Sequence, residues 1–355
     1  MSFFNKILSP NHYVGIDIGT TSIKVAEIVK TDGNLYLRSY GILENYAHLE
    51  RLNESIQTSS FKLVEEPTAQ LISTLLQKTN MQPDYVSMSV PVFESFVSLV
   101  NLPKMPDKEI GQALAYQAKQ YIPLPLADTM LEWVNVGADD KGLQVLLIAV
   151  PKEEVARLVK TAQLAKLNLN TIELESISAA RIFSTAIKEP YMIVDLGGRL
   201  TSFSVVENSK LKFVENIDLG GGDLTQVIST GMNIDPFRAE ELKRTYGIIN
   251  TDGDGSGVSS LMLPILGNIA AQTIKTKKLY ESNHNISIGT VVLTGGSANL
   301  PGIVAYFEHE MQCKMIKGNP FEMGVIKYES KLEPVVKDIG SSLSIACGLS
   351  MMKLS

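Results

Sequence analysis

The sequence is short of the residues on which several kinds of chemistry depend. It has two cysteines, Cys313 and Cys347, and four histidines. The cysteines are too far apart for a CxxC redox pair, and the histidines form no cluster with them that reads as a zinc site. Two reduced residues of a core are expected. There is no basic excess either. The 32 Lys and Arg stand against 38 Asp and Glu, a formal net charge of −6, which gives no broad attraction to a phosphate backbone, and no nucleic-acid partner is expected. Long apolar runs are also missing. The most apolar stretch, Leu143 to Val150, falls short of the roughly 18 residues that cross a bilayer, so no transmembrane segment is expected. The opening Met1–Leu8 lacks a continuous apolar core and a small-residue cleavage site, and reads as a packed or frayed terminus rather than a secretory signal.

What is present is ample for folding. Hydrophobic residues make up 45% and charged residues 20% of 355 positions, an ordinary globular balance over a length that calls for more than one core. The first patterned segment, Tyr13 to Ile18, is an apolar β-type run that ends at Gly19-Thr20-Thr21, and the alternating Ser22 to Ile28 follows. Asp32-Gly33-Asn34 supplies a second hairpin turn before Leu35 to Tyr40. The same grammar returns at Tyr191 to Leu196, turn Gly197-Gly198-Arg199, strand Leu200 to Val206 and strand Leu211 to Val214. Each copy carries an aspartate at the end of its first strand, Asp17 and Asp195, which indicates a duplicated, two-lobed architecture.

Between the copies lies a block of strand, helix, two strands, helix and strand, from Phe93 to Leu174. Its first helix starts at Pro106-Asp107, aligns Ile110, Ala113, Leu114, Tyr121 and Ile122, and stops at Pro123 and Pro125. Its second aligns Val155, Leu158, Val159, Ala162 and Ala165. After the second copy, Asp223 to Tyr280 is mostly helix-patterned, broken by a polar connector, Asp252 to Gly257. That connector lacks the spaced acidic series of a calcium loop, and no metal is assigned to it. The expected boundaries are 12–92 for a first lobe, with 173–188 and 340–355 returning to it or crossing between lobes; 93–172 for an inserted α+β module; 189–222 and 285–339 for the second lobe; and 223–284 for its helical subdomain.

Four elements carry candidate chemistry. In a strand-Asp-x-Gly-turn-strand hairpin, glycines turn backbone N–H groups toward an anion, hydroxyls add donors and the aspartate holds magnesium through water. The parts are Asp17, Gly19, Thr20, Thr21 and Lys24 in the first copy, and Asp195, Gly197, Gly198 and Thr201 in the second. One such turn is commonplace; two make a phosphate clamp. The strand Thr290 to Leu293 leads into Thr294-Gly295-Gly296-Ser297-Ala298-Asn299-Leu300, where a glycine pair brings backbone close to a ligand before a helix. In Ala239 to Lys243, Glu240 and Lys243 stand one helical turn apart; the plain alternative is a solvated ion pair.

These residues resemble the actin, DnaK-type chaperone and sugar-kinase superfamily, which implies an α/β, two-lobed actin-like (ribonuclease H-like) fold with ATP between the lobes. The resemblance implies that the two hairpins are phosphate motifs, that Thr294 to Leu300 with Gly295, Gly296, Ser297 and Asn299 is the adenosine motif, and that Glu240 and Lys243 lie on the purine side. It further places Gly222 at the nucleotide, Asp17 and Asp195 on Mg2+, Glu175 as the carboxylate that orients water, and two crossing helices at Ser176 to Ala186 and Ser341 to Met351. An insertion of this size and position is similar to those of FtsA and of the pilus-assembly PilM family. Ile110 to Leu114, Tyr121 to Pro125 with Leu124, Leu131-Glu132-Trp133, Leu147 to Lys152 and Asn319-Pro320-Phe321 resemble PilM in particular. Ser176 and Ile177 stand where family members carry Pro and Phe.

The resemblance to PilM implies an ATP-binding cytoplasmic scaffold subunit of a type IV pilus inner-membrane complex, with at most slow ATPase activity. It is held at the membrane by the N-terminal cytoplasmic segment of PilN and stands near the motor ATPases. Trp133, Tyr116 and Tyr121 are the candidate anchors for that segment, or else part of the module's core. An FtsA-like polymerising cell-division actin and a sugar or acid kinase are the alternatives on the same fold.

Overall fold

The computed structural model describes residues 12–44, 64–123, 125–139, 142–249, 253–255 and 257–354. Met1–Leu8, Leu124, Asp140 and Lys141 of the module's turn, and Asp252 and Ser256 of the polar connector lie outside them. The first lobe opens with the antiparallel meander β1 (Tyr13–Ile18), β2 (Ser22–Thr31) and β3 (Asn34–Glu44). Its second turn is tight because Asp32 and Gly33 both take positive φ, 50° and 76°. Helix α1 (Glu65–Lys78) then leads to β4 (Tyr85–Val90), which runs parallel to β1. Both β1 and β4 are apolar nearly throughout, as central strands covered on two faces must be.

The insertion follows as β5 (Phe96–Leu102), α2 (Asp107–Gln117), β6 (Thr129–Asp139) and β7 (Gly142–Pro151), a three-stranded sheet in the order β5-β7-β6. On one face Val100, Leu102, Val145, Leu147 and Ala149 pack with Ile110 and Leu114 of α2. On the other, Leu146, Ile148 and Val150 join the core of the first lobe. The expected end of the module at 172 is corrected by the next two elements. Helix α3 (Lys152–Leu164) packs on α1, and β8 (Leu169–Leu174) pairs parallel with β4 to complete the first sheet, β3-β2-β1-β4-β8. The module therefore ends at Pro151. Tyr121, expected on the helix's inner face, is 39% exposed, because α2 gives way to a 3₁₀ turn over Ala118–Gln120 that rotates it outward.

Helix α4 (Glu175–Phe183) leads to the repeat of the meander, β9 (Tyr191–Leu196), β10 (Thr201–Glu207) and β11 (Lys210–Ile217). Helices α5 (Gly221–Met232), α6 (Pro236–Tyr246) and α7 (Val258–His284) form the helical part. Then β12 (Thr290–Thr294), α8 (Ile303–Met311) and β13 (Lys314–Lys317) complete a second sheet, β11-β10-β9-β12-β13. It has its own core of Val194, Phe203, Leu266, Val291 and Phe307 among others. The chain returns through α9 (Glu333–Ile339) and α10 (Ser344–Ser350). Side chains at Gly15 and Gly348 would clash with the carbonyls of Ala346 and Ser178, at 2.0 and 2.2 Å, so glycine is what lets α10 lie directly on β1 and α4. The helical run Ser330–Lys353 has a mean hydropathy of 1.2, enough by composition for a membrane span, but 61% of its most apolar window is buried inside the protein. Its place against β1 and α4 is that of a core helix.

The module is also tied to the second lobe. Lys210 Nζ donates to the Asn135 carbonyl at 3.0 Å and Lys212 Nζ to Gln144 Oε1 at 2.6 Å.

Candidate functional site

A cleft of about 480 Å³ opens between the lobes, lined by the turns of both hairpins, the turn after β12, one side of α6 and the segment 338–345. Every candidate nucleotide-site residue from the sequence borders it except Thr201. Asp17 ends β1 and is 1% exposed. Its Oδ2 accepts from Lys24 Nζ at 3.0 Å and its Oδ1 from Ser89 Oγ at 2.9 Å. Ser89 in turn accepts from the Ile18 N–H at 3.2 Å, so a residue of β4 that no sequence signal marked fixes the carboxylate.

The β1–β2 pairing sets Asp17 opposite Lys24, and the β9–β10 pairing sets Asp195 opposite Ser202. Lys24 and Ser202 are thus equivalent, and both face the cleft. Thr201 sits one step out of phase and points away, because side chains alternate along a strand. It is fully buried, and its hydroxyl donates to the Leu219 carbonyl at 2.7 Å. Aligning the two copies on Asp17 and Asp195 would have placed Ser202 rather than Thr201 at the position of Lys24. Across the cleft the two turns touch. A Cβ on Gly198 would lie 2.3 Å from Thr21 Cγ2, so glycine is required where the hairpins meet. The carbonyls of Gly197 and Gly198 accept from the N–H groups of Gly221 and Gly222 at 2.8 and 2.7 Å, which seats the start of α5 against the second turn.

At the turn after β12, Gly295 has φ of +90°, and a Cβ there would come within 2.3 Å of Asp195 Oδ1. Asn299 Nδ2 donates to Ser342 Oγ at 3.2 Å, while Asn299 Oδ1 and Ser341 Oγ are buried without a hydrogen-bond partner among the described residues. Unsatisfied buried acceptors and hydroxyls cost free energy unless a ligand meets them. On α6, the Glu240–Lys243 pair is not the solvated pair of the plain alternative. The two meet at 2.6 Å with both side chains buried, and Lys243 Nζ also donates to the Gly221 carbonyl at 2.8 Å. Burial works against the Glu240 carboxylate, but Lys243, Thr225 and Arg244 overcome it and hold its pKa down at about 2. Arg244 reaches on to Glu44 of β3 at 2.7 Å, an ion pair that joins the two lobes at the cleft mouth.

The phosphate end carries more acid than base. Burial works against the Lys24 ammonium, yet Asp17, with Asp195 and Glu175, raises its pKa. Asp195 is pushed up to about 6, by burial first and by Asp17 after it, with Lys24 opposing. Glu175 rises well above the ordinary carboxylate range through burial and then through Asp17 and Asp195, although its Oε2 accepts from the Val92 N–H at 3.3 Å. Clustered carboxylates of this kind attract a cation. No three ligating His, Cys, Asp or Glu side chains converge on one point among the described residues.

A chain with two sheets of one topology, a duplicated hairpin and an aspartate from each copy in a shared cleft has the actin-like ATPase fold. Within it, this chain belongs to the family described as type IV pilus assembly protein PilM, whose model matches residues 15–354. A solved PilM-PilN type IV pilus biogenesis complex superposes with a TM-score of 0.82 at 21% identity, covering 97% of this chain and 98% of that one. Cell division protein FtsA of Enterococcus faecalis is 22% identical over 356 residues, covering 88% of this chain and 80% of the relative. MreB 5 of Spiroplasma citri, solved with bound AMPPNP, shares the fold with a TM-score of 0.53 at 12% identity, covering 98% of this chain and 97% of that one.

Proposed function

We propose that the protein is an ATP-binding scaffold of the type IV pilus machine, peripheral to the inner membrane, which holds Mg·ATP between its lobes and the N-terminal cytoplasmic segment of PilN on its inserted module. The observation that carries the nucleotide reading is the meeting of Asp17 and Asp195 in one cleft, with the partnerless Asn299 Oδ1 and Ser341 Oγ at its other end. Asp17 and Asp195 would hold magnesium through water, the turns at Gly19–Thr21 and Gly197–Gly198 the phosphates, and Gly295–Asn299 with the Glu240–Lys243 pair the adenosine. Bound Mg·ATP supplies a divalent charge at this acidic end. Glu175 is the one carboxylate among the described residues placed to orient water, and Ser176 and Ile177 beside it depart from the Pro and Phe of the family, which leaves its geometry for base help unmatched. Turnover is therefore expected far below the roughly 10 s⁻¹ typical of enzymes.

For the peptide, β6 is an edge strand of the module, with Met130 and Val134 each 41% exposed, and an extended segment can pair with such an edge. Tyr116, 86% exposed, stands on α2, whereas Trp133 packs into the module core. Contact with motor ATPases belongs to the same reading. Calorimetry with Mg·ATP tests the first half. Hydrogen exchange with a PilN N-terminal peptide tests the second: protection along β6 supports it, and protection confined to α5, α6 and α7 refutes it. Pelleting as filaments would instead favour the FtsA-like role.

A further inference from the structure

Every described arginine but one faces a carboxylate: Arg38 meets Glu27, Arg157 meets Glu94, Arg181 meets Glu173, Arg238 meets Glu241, and Arg244 meets Glu240 and Glu44. Arg199 is the exception. It borders the cleft, and its guanidinium lies over the Phe93 ring, 5.0 Å from the centroid. Its place in the second hairpin is equivalent to that of Thr21 in the first, since Gly19 N donates to the Ser22 carbonyl and Gly197 N to the Leu200 carbonyl, each at 3.0 Å. A cation thus replaces a hydroxyl at the tip of the turn nearest the opposite lobe. The preceding Gly198 is packed on Thr21, which fixes the turn from which the long, partly exposed side chain extends.

We infer that Arg199 contacts the terminal phosphate of a bound nucleoside triphosphate and sets a preference for ATP over ADP, with Phe93 as the resting place of the guanidinium between contacts. The inference rests on the nucleotide reading given above. A planar guanidinium donates two parallel hydrogen bonds to a phosphate, and such charge-assisted bonds are stronger than stacking on an aromatic ring at a partly exposed site. Phe93 lies in the connector between β4 and the module, between Val92, whose N–H bonds Glu175, and Glu94, which meets Arg157. Movement of Arg199 off this ring therefore acts on the segment through which the module is attached.

The test is calorimetry with Mg·ATP and Mg·ADP on the full chain, for the parent and for Arg199→Ala, Arg199→Lys and Phe93→Ala. Arg199→Ala is expected to weaken ATP roughly 10- to 100-fold while ADP changes less than about threefold, and Arg199→Lys to recover part of the loss. Phe93→Ala is expected to tighten ATP by roughly two- to fivefold. The ratio of the two affinities does not depend on the fraction of active protein. An unchanged ratio in Arg199→Ala overturns the inference, as does a Phe93→Ala variant that loses ATP selectively. A parent that binds neither nucleotide refutes the nucleotide reading before any substitution is made, so the two failures are distinct.

Discussion

The two phosphate hairpins share a backbone and differ in how they handle charge. In the first, the residue opposite the aspartate is Lys24, and Asp17 is held by that ammonium and by Ser89. In the second, the residue opposite is Ser202, and Asp195 makes no side-chain hydrogen bond among the described residues. The first hairpin meets the charge of its aspartate within its own two strands and β4. In the second, the nearest cation to Asp195 is Lys24 of the opposite hairpin. The two copies share one backbone and differ at an equivalent position, Lys24 against Ser202, in how the charge of the aspartate is met.

The largest expected effect tests that division directly. Asp17→Ala strands the Lys24 ammonium in a buried site and should cost about 3–5 kcal/mol in urea unfolding, whereas Asp195→Ala removes a like-charge neighbour and should cost under about 1 kcal/mol. Equal costs would erase the distinction. Next, Mg·ATP at about 100 times its Kd should stabilise the parent by roughly 2.7 kcal/mol in a melting experiment, and Asp195→Ala, although folded, should show no such gain.

A pH series sharpens the contrast further. The folded state holds the Asp195 proton, with a pKa of about 6, more tightly than the unfolded chain does. The group's contribution is most favourable below about pH 4, is lost as pH rises through 6 and stays lost above it. The loss amounts to about 2 kcal/mol once partial exposure is allowed for, and Asp195→Asn should flatten it. The smallest effect concerns the out-of-phase residue. Thr201→Val should cost about 1 kcal/mol through the Leu219 carbonyl and leave nucleotide affinity unchanged, while Ser202→Ala should do the reverse. Loss of ATP binding in Thr201→Val would restore that residue to the site.

Much of the candidate site could be read in advance because its chemistry is local. A strand ending in Asp-x-Gly, or a glycine pair after an apolar strand, carries its own geometry. What stayed hidden depends on partners distant in sequence. Ser89 looks like any polar residue in a strand until β4 pairs with β1. Ser341 is marked only as part of a crossing helix, and its unpartnered hydroxyl is visible only once α10 returns to the first lobe. The module's end was misplaced for a similar reason. The alternation in Asn170 to Leu174 is the same whether the strand joins a small sheet or a large one, and only the pairing with β4 decides. Thr201 was a different failure, since aligning the two copies on their aspartates already sets Ser202 against Lys24.

The module's attachment to both lobes has a thermodynamic consequence. It grows from the first lobe through the connector at Phe93 and is pinned to β11 by Lys210 and Lys212, so a change in the angle between the lobes must either strain those two contacts or carry the module along. A ligand that favours one angle and a peptide that favours one seating of the module then share a single coupling free energy. Reciprocity follows: whatever factor ATP applies to the affinity for peptide, the peptide must apply to the affinity for ATP. A membrane-tethered peptide would in that way set how much nucleotide the protein retains, without any contact between the two.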